Sequence, residues 1–138
     1  MTDSRIFFDS APLIYLVEFN EVFYDKISLF MAESIANRKQ MVTSVVSFAE
    51  FGVKPRKLGK KDVIDRFEKT ITNLFDIQDV DLEVASIAAG LRAKYSSLRG
   101  MDALQVASAI RADADIFVTN DKRLKAIKEI KVILVKEL

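Results

Sequence analysis

Short apolar stretches alternate with longer amphipathic ones from one end of this chain to the other, and that alternation limits the fold more than any single motif. Residues 5–8, 40–43, 75–77, 116–119 and 131–135 each read as a strand. Between them, apolar residues recur at helical spacing, most clearly over 20–37 with Val22, Phe23, Ile27, Phe30, Met31 and Ile35. A short helix is expected over 13–18, after the Asp9-Ser10-Ala11-Pro12 break. Ser44 is placed to cap a helix carrying Val45, Val46, Phe48, Glu50 and Phe51, which Pro55 and Gly59 end or bend. Further helices are expected over 62–73, after Asp81, after Gly100 and, briefly, from Lys122. Strands alternating with helices predict an α/β domain whose mainly parallel sheet is covered on both faces. No repeat, linker or low-complexity tract divides the 138 residues, so a single domain over 1–138 is expected.

What the chain lacks narrows its chemistry. It has no cysteine, which removes disulfides, thiolate nucleophiles and zinc–thiolate sites. It has no histidine either, which removes Ser-His-Asp catalysis, imidazole-rich zinc sites and paired-histidine RNA cleavage. Acid–base or metal chemistry therefore falls to carboxylates, lysine, tyrosine or bound water. No apolar run approaches the roughly 18 residues needed to cross a bilayer. Met1-Thr2-Asp3-Ser4-Arg5 lacks the basic start and apolar core of a signal peptide, so a cytoplasmic protein with no membrane association is expected.

Four acids stand out by position. Asp9 follows the first strand, Asp121 follows the fourth, and Glu50 and Asp102 lie in the first turns of helices. In a parallel sheet, residues past the carboxyl ends of the strands collect in one crevice. Each acid also has an ordinary explanation. Asp9 can close a turn, while Asp102 and Asp121 can cap the helices beside them. Glu50, flanked by Phe48, Ala49 and Phe51, looks like a carboxylate among core residues, costly unless paired or metal-bound. Taken together, four carboxylates at one end of a sheet would repel one another unless a cation compensates. An oxygen-only donor set suits Mg²⁺ or Mn²⁺, and the chemistry that follows is metal-assisted phosphodiester hydrolysis.

The net charge of +1 hides segregation. Lys54, Arg56, Lys57, Lys60 and Lys61 crowd one stretch, and Lys122, Arg123, Lys125, Lys128, Lys131 and Lys136 another. Such runs are usually solvated surface. Around an acidic pocket they are also the layout in which cations hold phosphates while carboxylates hold metal.

Four segments, Phe8-Asp9-Ser10-Ala11-Pro12-Leu13-Ile14, Thr43-Ser44-Val45-Val46-Ser47-Phe48-Ala49-Glu50, Leu98-Arg99-Gly100-Met101-Asp102-Ala103-Leu104-Gln105-Val106-Ala107-Ser108-Ala109 and Phe117-Val118-Thr119-Asn120-Asp121, make the chain resemble a PIN domain. The resemblance is to the VapC-type ribonuclease toxins in particular. It implies a three-layer sandwich around a five-stranded parallel sheet ordered 3-2-1-4-5, and an endoribonuclease dependent on Mg²⁺ or Mn²⁺. It places the family's acids on Asp9, Glu50, Asp102 and Asp121, as both catalytic residues and metal ligands. Thr119 and, in the same way, Ser10 are expected to support them, and Arg99 to contact a phosphate or pair with a carboxylate. It further implies an RNA substrate, a small antitoxin partner and a homodimer, with part of the apolar 13–30 region as the antitoxin's groove. One departure is visible: many relatives carry another acid two places after the last, where this chain has Arg123 followed by Leu124.

Other classes fit less well. A dehalogenase-like phosphatase wants an aspartate two residues after the first, and position 11 is alanine. A receiver domain wants an acidic pair before its first helix, which is missing. A binding module that keeps the fold without the activity, and a solitary RNA-processing nuclease, remain the alternatives.

Overall fold

The computed structural model describes residues 4–138; the first three residues, on which much of the leader reading falls, lie outside that range. Five strands are present: β1 (Arg5–Phe8), β2 (Gln40–Ser44), β3 (Asp76–Gln78), β4 (Ile116–Thr119) and β5 (Lys131–Leu134). They form one sheet in the order β3-β2-β1-β4-β5, with every pairing parallel. The helices are α1 (Ser10–Val17), α2 (Tyr24–Ala36), α3 (Val45–Phe51), α4 (Val53–Lys57), α5 (Lys61–Leu74), α6 (Leu82–Lys94) and α7 (Gly100–Arg111). Short 3₁₀ segments follow β4 and β5.

The sheet is buried on both faces, and successive strand residues alternate between two cores as the pleat requires. In β1, Phe7 joins Val42, Phe117 and Val132 against Val84, Leu91, Val106 and Ala109 of α6 and α7. Its neighbours Ile6 and Phe8 join Met41 and Val118 against Leu13, Ile27, Phe67 and Ile71 of α1, α2 and α5. Register pairs Phe7 with Phe117, and their rings stack 5.4 Å apart and 7° from parallel. Alanine at 103, 107 and 109 lets α7 settle close to the sheet, and all three are fully buried.

Two expectations change. The helix capped by Ser44 ends at Phe51, and Gly52 separates it from α4. Pro55 sits inside α4, tolerated because the first-turn N–H groups of a helix have no partner within it. Gly59, at φ +65°, makes the left-handed turn into α5. Asp102 does not cap α7: Arg99 occupies that position, and Asp102 lies in the first turn, where the helix dipole favours negative charge.

Candidate metal centre

Strand order reverses at β1, whose neighbours are β2 on one side and β4 on the other. The carboxyl ends of β1 and β4 therefore open a crevice. Asp9 leaves β1 directly into it, anchored by its own N–H donating to Val118 O at 2.9 Å. The Asp9 carboxylate is buried; Oδ1 accepts the Ser10 N–H at 2.8 Å, capping α1, and Oδ2 accepts the Thr119 hydroxyl at 2.8 Å. Thr119 in turn accepts the Asp121 N–H at 3.1 Å. Burial pushes the Asp9 carboxyl up to about 6; the two hydrogen bonds oppose this, and the charges of Glu50 and Asp102 reinforce it.

Asp102 is half-buried, and burial followed by the Asp121 charge raises its carboxyl above the usual range. Asp121 behaves oppositely. Its Oδ1 accepts Arg123 N and Nε, both at 3.0 Å, and its Oδ2 accepts Arg123 Nη2 at 2.6 Å. That fork holds the Asp121 carboxyl below its ordinary value. The expected capping role of Asp121 and the expected crevice position thus coincide.

Glu50 departs from its sequence reading. It is exposed, so its carboxylate does not bear the desolvation expected among core residues. It is tied to the crevice by a short hydrogen bond from the Ser10 hydroxyl to Oε1. Ser10, expected to support the acids as Thr119 does, is bonded to Glu50 through its side chain and to Asp9 through its backbone N–H.

The four acids line adjoining hollows. Asp9 and Asp121 open on one of about 520 Å³, with Lys122, Arg123 and Lys136 on its wall. Glu50 and Asp102 share another of about 660 Å³, with Arg92 and Arg99. Asp102 and Asp121 meet in a third of about 90 Å³. The acids are neighbours, yet looser than a finished cage: among the described residues, no three acidic side chains are gathered closely enough to ligate one ion as they stand. The donor chemistry nonetheless suits a hard divalent cation, since the side chains that meet around Asp9 offer carboxylate and hydroxyl oxygens, with Thr119 bonded to Asp9 and Ser10 to Glu50.

Basic flanks are present, but one differs from expectation. Of the C-terminal cations, Lys122, Arg123 and Lys136 border the Asp9–Asp121 hollow. The Lys54–Lys61 run instead surrounds a separate hollow near Ile64 that contains none of the four acids. Its place beside Glu50 and Asp102 is taken by Arg92 and Arg99. Arg99 is exposed, and among the described residues it makes no ion pair within 4 Å. The sequence reading passed over Arg92, and also over Gln105, which is fully buried behind Ser10. A glutamine at a core-facing position of an Ala-rich helix was the available signal.

The expected apolar groove also shifts. Leu13 belongs to the core, whereas Leu16, Val17, Phe19, Tyr24, Met31 and Ile35 border a hollow of about 340 Å³ between α2 and α5. Phe19 remains 62% exposed. Among the described residues no helix is long and apolar enough to cross a membrane.

Solved structures share this fold at low sequence identity. A DNA-bound VapBC from Salmonella typhimurium is 16% identical, with a TM-score of 0.76 over 96% of this chain and 98% of that one. FitAcB from Neisseria gonorrhoeae is 18% identical, with a TM-score of 0.76 over 96% and 99%. A toxin–antitoxin complex from Klebsiella pneumoniae is 21% identical, with a TM-score of 0.73 over 96% and 99%. No curated protein matches the chain. The PIN-domain family model matches residues 6–130, spanning all four strand-end and helix-start acids, and the chain belongs to the PIN-domain family.

Proposed function

We propose that this chain is a metal-dependent endoribonuclease, the toxin of a type II toxin–antitoxin pair, in which Asp9, Glu50, Asp102 and Asp121 hold Mg²⁺ or Mn²⁺. The observation that carries the reading is a buried Asp9 that shares its crevice with the other three acids, its proton affinity raised first by burial and further by the charges of Glu50 and Asp102, beside hollows walled by cations on both sides. The bound ion would polarise a phosphoryl oxygen and activate water. The chain's own residues would do the rest. Arg92 and Arg99 on one side, and Lys122 and Lys136 on the other, would hold RNA phosphates across the crevice. Thr119 and Ser10 would keep the Asp9 and Glu50 oxygens turned toward it.

The toxin assignment draws on the fold shared with VapBC, FitAcB and the Klebsiella toxin–antitoxin complex. The α2–α5 hollow is the place for an antitoxin's apolar helix. A cytoplasmic homodimer formed as one PIN domain per chain completes the proposal. A second reading, a PIN-fold binding module without activity, draws on the Arg123 fork that occupies Asp121.

The test is cleavage of single-stranded RNA by the purified protein with Mg²⁺ or Mn²⁺, set against Asp102→Asn. The expected result is cleavage leaving 5′-phosphate ends, lost in the variant with the fold intact. Cleavage that persists in a highly purified Asp102→Asn protein overturns the site assignment. A short neighbouring gene encoding a small DNA-binding protein supports the toxin reading, and its absence favours a solitary RNA-processing nuclease.

A further inference from the structure

Behind the crevice lies a buried polar cluster drawn from four elements: Ser10 of α1, Thr43 and Ser44 of β2, Ser47 of α3 and Gln105 of α7. All are buried, and Gln105, Thr43, Ser44 and Ser47 are fully so. Among the described residues, no buried side-chain nitrogen or oxygen lacks a partner. Counting protons gives every bond in the cluster a direction. Thr43 donates to Phe8 O at 2.9 Å, which uses its only hydroxyl proton. The Thr43–Ser47 contact at 2.8 Å must then be donated by Ser47. Ser47 has no proton left, so its 2.9 Å partner Gln105 must present an N–H there, not the carbonyl. The amide orientation follows: Gln105 Nε2 donates to Ser47 and, at 3.1 Å, to Ser10, while its Oε1 accepts Ser44 Oγ at 2.6 Å. Rotating the amide by 180° would set two proton-less oxygens against each other at Ser47. The Glu50 carboxylate can only accept, and Ser47 is a distant 3.4 Å away, so the Ser10 hydroxyl accepts the Gln105 N–H on one lone pair and directs its proton to Glu50.

We propose that Gln105 is a positioning residue, which acts through Ser10 to hold the Glu50 carboxylate at the edge of the crevice where the cation binds. It touches neither substrate nor ion. The proposal rests on the metal-site reading above for what Glu50 does, and on the hydrogen-bond geometry alone for how Glu50 is held. Glu50 is exposed on a short helix, and the Ser10 hydroxyl is its one hydrogen-bond partner among the described side chains. Supporting bonds of this kind are typically worth about 10–100-fold in metal affinity.

Two measurements test it. In the metal-free protein, ¹⁵N NMR should show the Gln105 side-chain amide protons shifting in Ser10→Ala and in Glu50→Gln, but not in Glu68→Gln on the exposed face of α5. An amide unmoved by either of the first two variants overturns the link. The second measurement is a double-mutant cycle read by Mn²⁺ binding. Ser10→Ala and Gln105→Met should each weaken Mn²⁺ binding by about tenfold, and the double variant should be no weaker than Ser10→Ala alone. Additive losses overturn the proposal, as does a lower Tm with Mn²⁺ affinity unchanged, which marks a merely structural residue. Gln105→Glu, the same shape with at most one proton to give, replaces Gln105→Met if that variant does not fold. A wild-type protein that binds no Mn²⁺ overturns the metal reading and this role at the ion, while the NMR arm still decides the Gln105–Ser10–Glu50 link.

Discussion

Thr119 donates its hydroxyl proton to Asp9 at 2.8 Å while accepting the backbone N–H of Asp121 at 3.1 Å, so one fully buried side chain ties together two acids 112 residues apart. Thr119→Val keeps the shape and removes both bonds. The expected result is a loss of about 1–3 kcal/mol in stability from the unsatisfied Asp9 oxygen, together with weaker Mn²⁺ binding. Thr119→Ser should restore most of both. Denaturant unfolding and Mn²⁺ titration read the two effects; a Thr119→Val protein equal to wild type in both would remove Thr119 from the site.

The raised Asp9 carboxyl predicts an unusual pH dependence. Its proton is held more tightly in the folded state, at about 6, than at the ordinary 3.8. Between those values the folded state binds more protons than the unfolded one, so stability falls as pH rises through that window and is flat above it. The size is on the order of 3 kcal/mol, at about 1.36 kcal/mol for each tenfold change in proton affinity. Metal-free Asp9→Asn should lose this slope and be the more stable protein at pH 7. Added Mg²⁺ should stabilise wild type more at pH 7 than at pH 5, because the ion competes with the proton. Urea midpoints across this range decide it: equal slopes in wild type and Asp9→Asn would contradict the assignment.

Arg123 occupies both Asp121 oxygens, the same ones the proposed cation would use. Arg123→Ala should release that carboxylate and tighten Mn²⁺ binding several-fold, with little change in Tm because the arginine is exposed. Titration with Mn²⁺ reads this directly. Unchanged or weaker binding would show that the fork orients Asp121 for the ion and does not compete with it.

The α2–α5 hollow predicts a separable partner surface. Ile35 is 51% exposed on its rim, so Ile35→Glu should leave folding and RNA cleavage unchanged. It should abolish neutralisation by a partner protein that lays an apolar helix there. Inhibition titrated equally well against wild type and variant would move the partner elsewhere.

Much of this molecule is readable from short-range pattern. Alternation of apolar stretches predicts the strands, because a sheet buried on both faces needs near-continuous apolar runs. The hydroxyl of Ser44 and the carboxylates of Asp81 and Asp121 announce helix starts, since each bonds an N–H two or three residues on. The four acids were also visible, as strand-end and helix-start residues. Strand order was not: alternation is compatible with several parallel arrangements, and 3-2-1-4-5 came into the sequence reading only through resemblance.

Tertiary structure decided who meets whom. Glu50 sits among apolar neighbours in sequence yet is exposed, because the Ser10 hydroxyl at the crevice edge, and not the core, receives its carboxylate. The Lys54–Lys61 run turned away from the acids with α4, leaving Arg92 and Arg99 in its place. Gln105 looked like one polar residue in an alanine-rich helix, until packing set it against serines 58 and 95 positions away. Apolar burial depends on periodicity within a few residues, which a sequence displays openly. A buried hydrogen bond depends on which donor and acceptor the folded chain brings within about 3 Å, and that distance exists only in three dimensions.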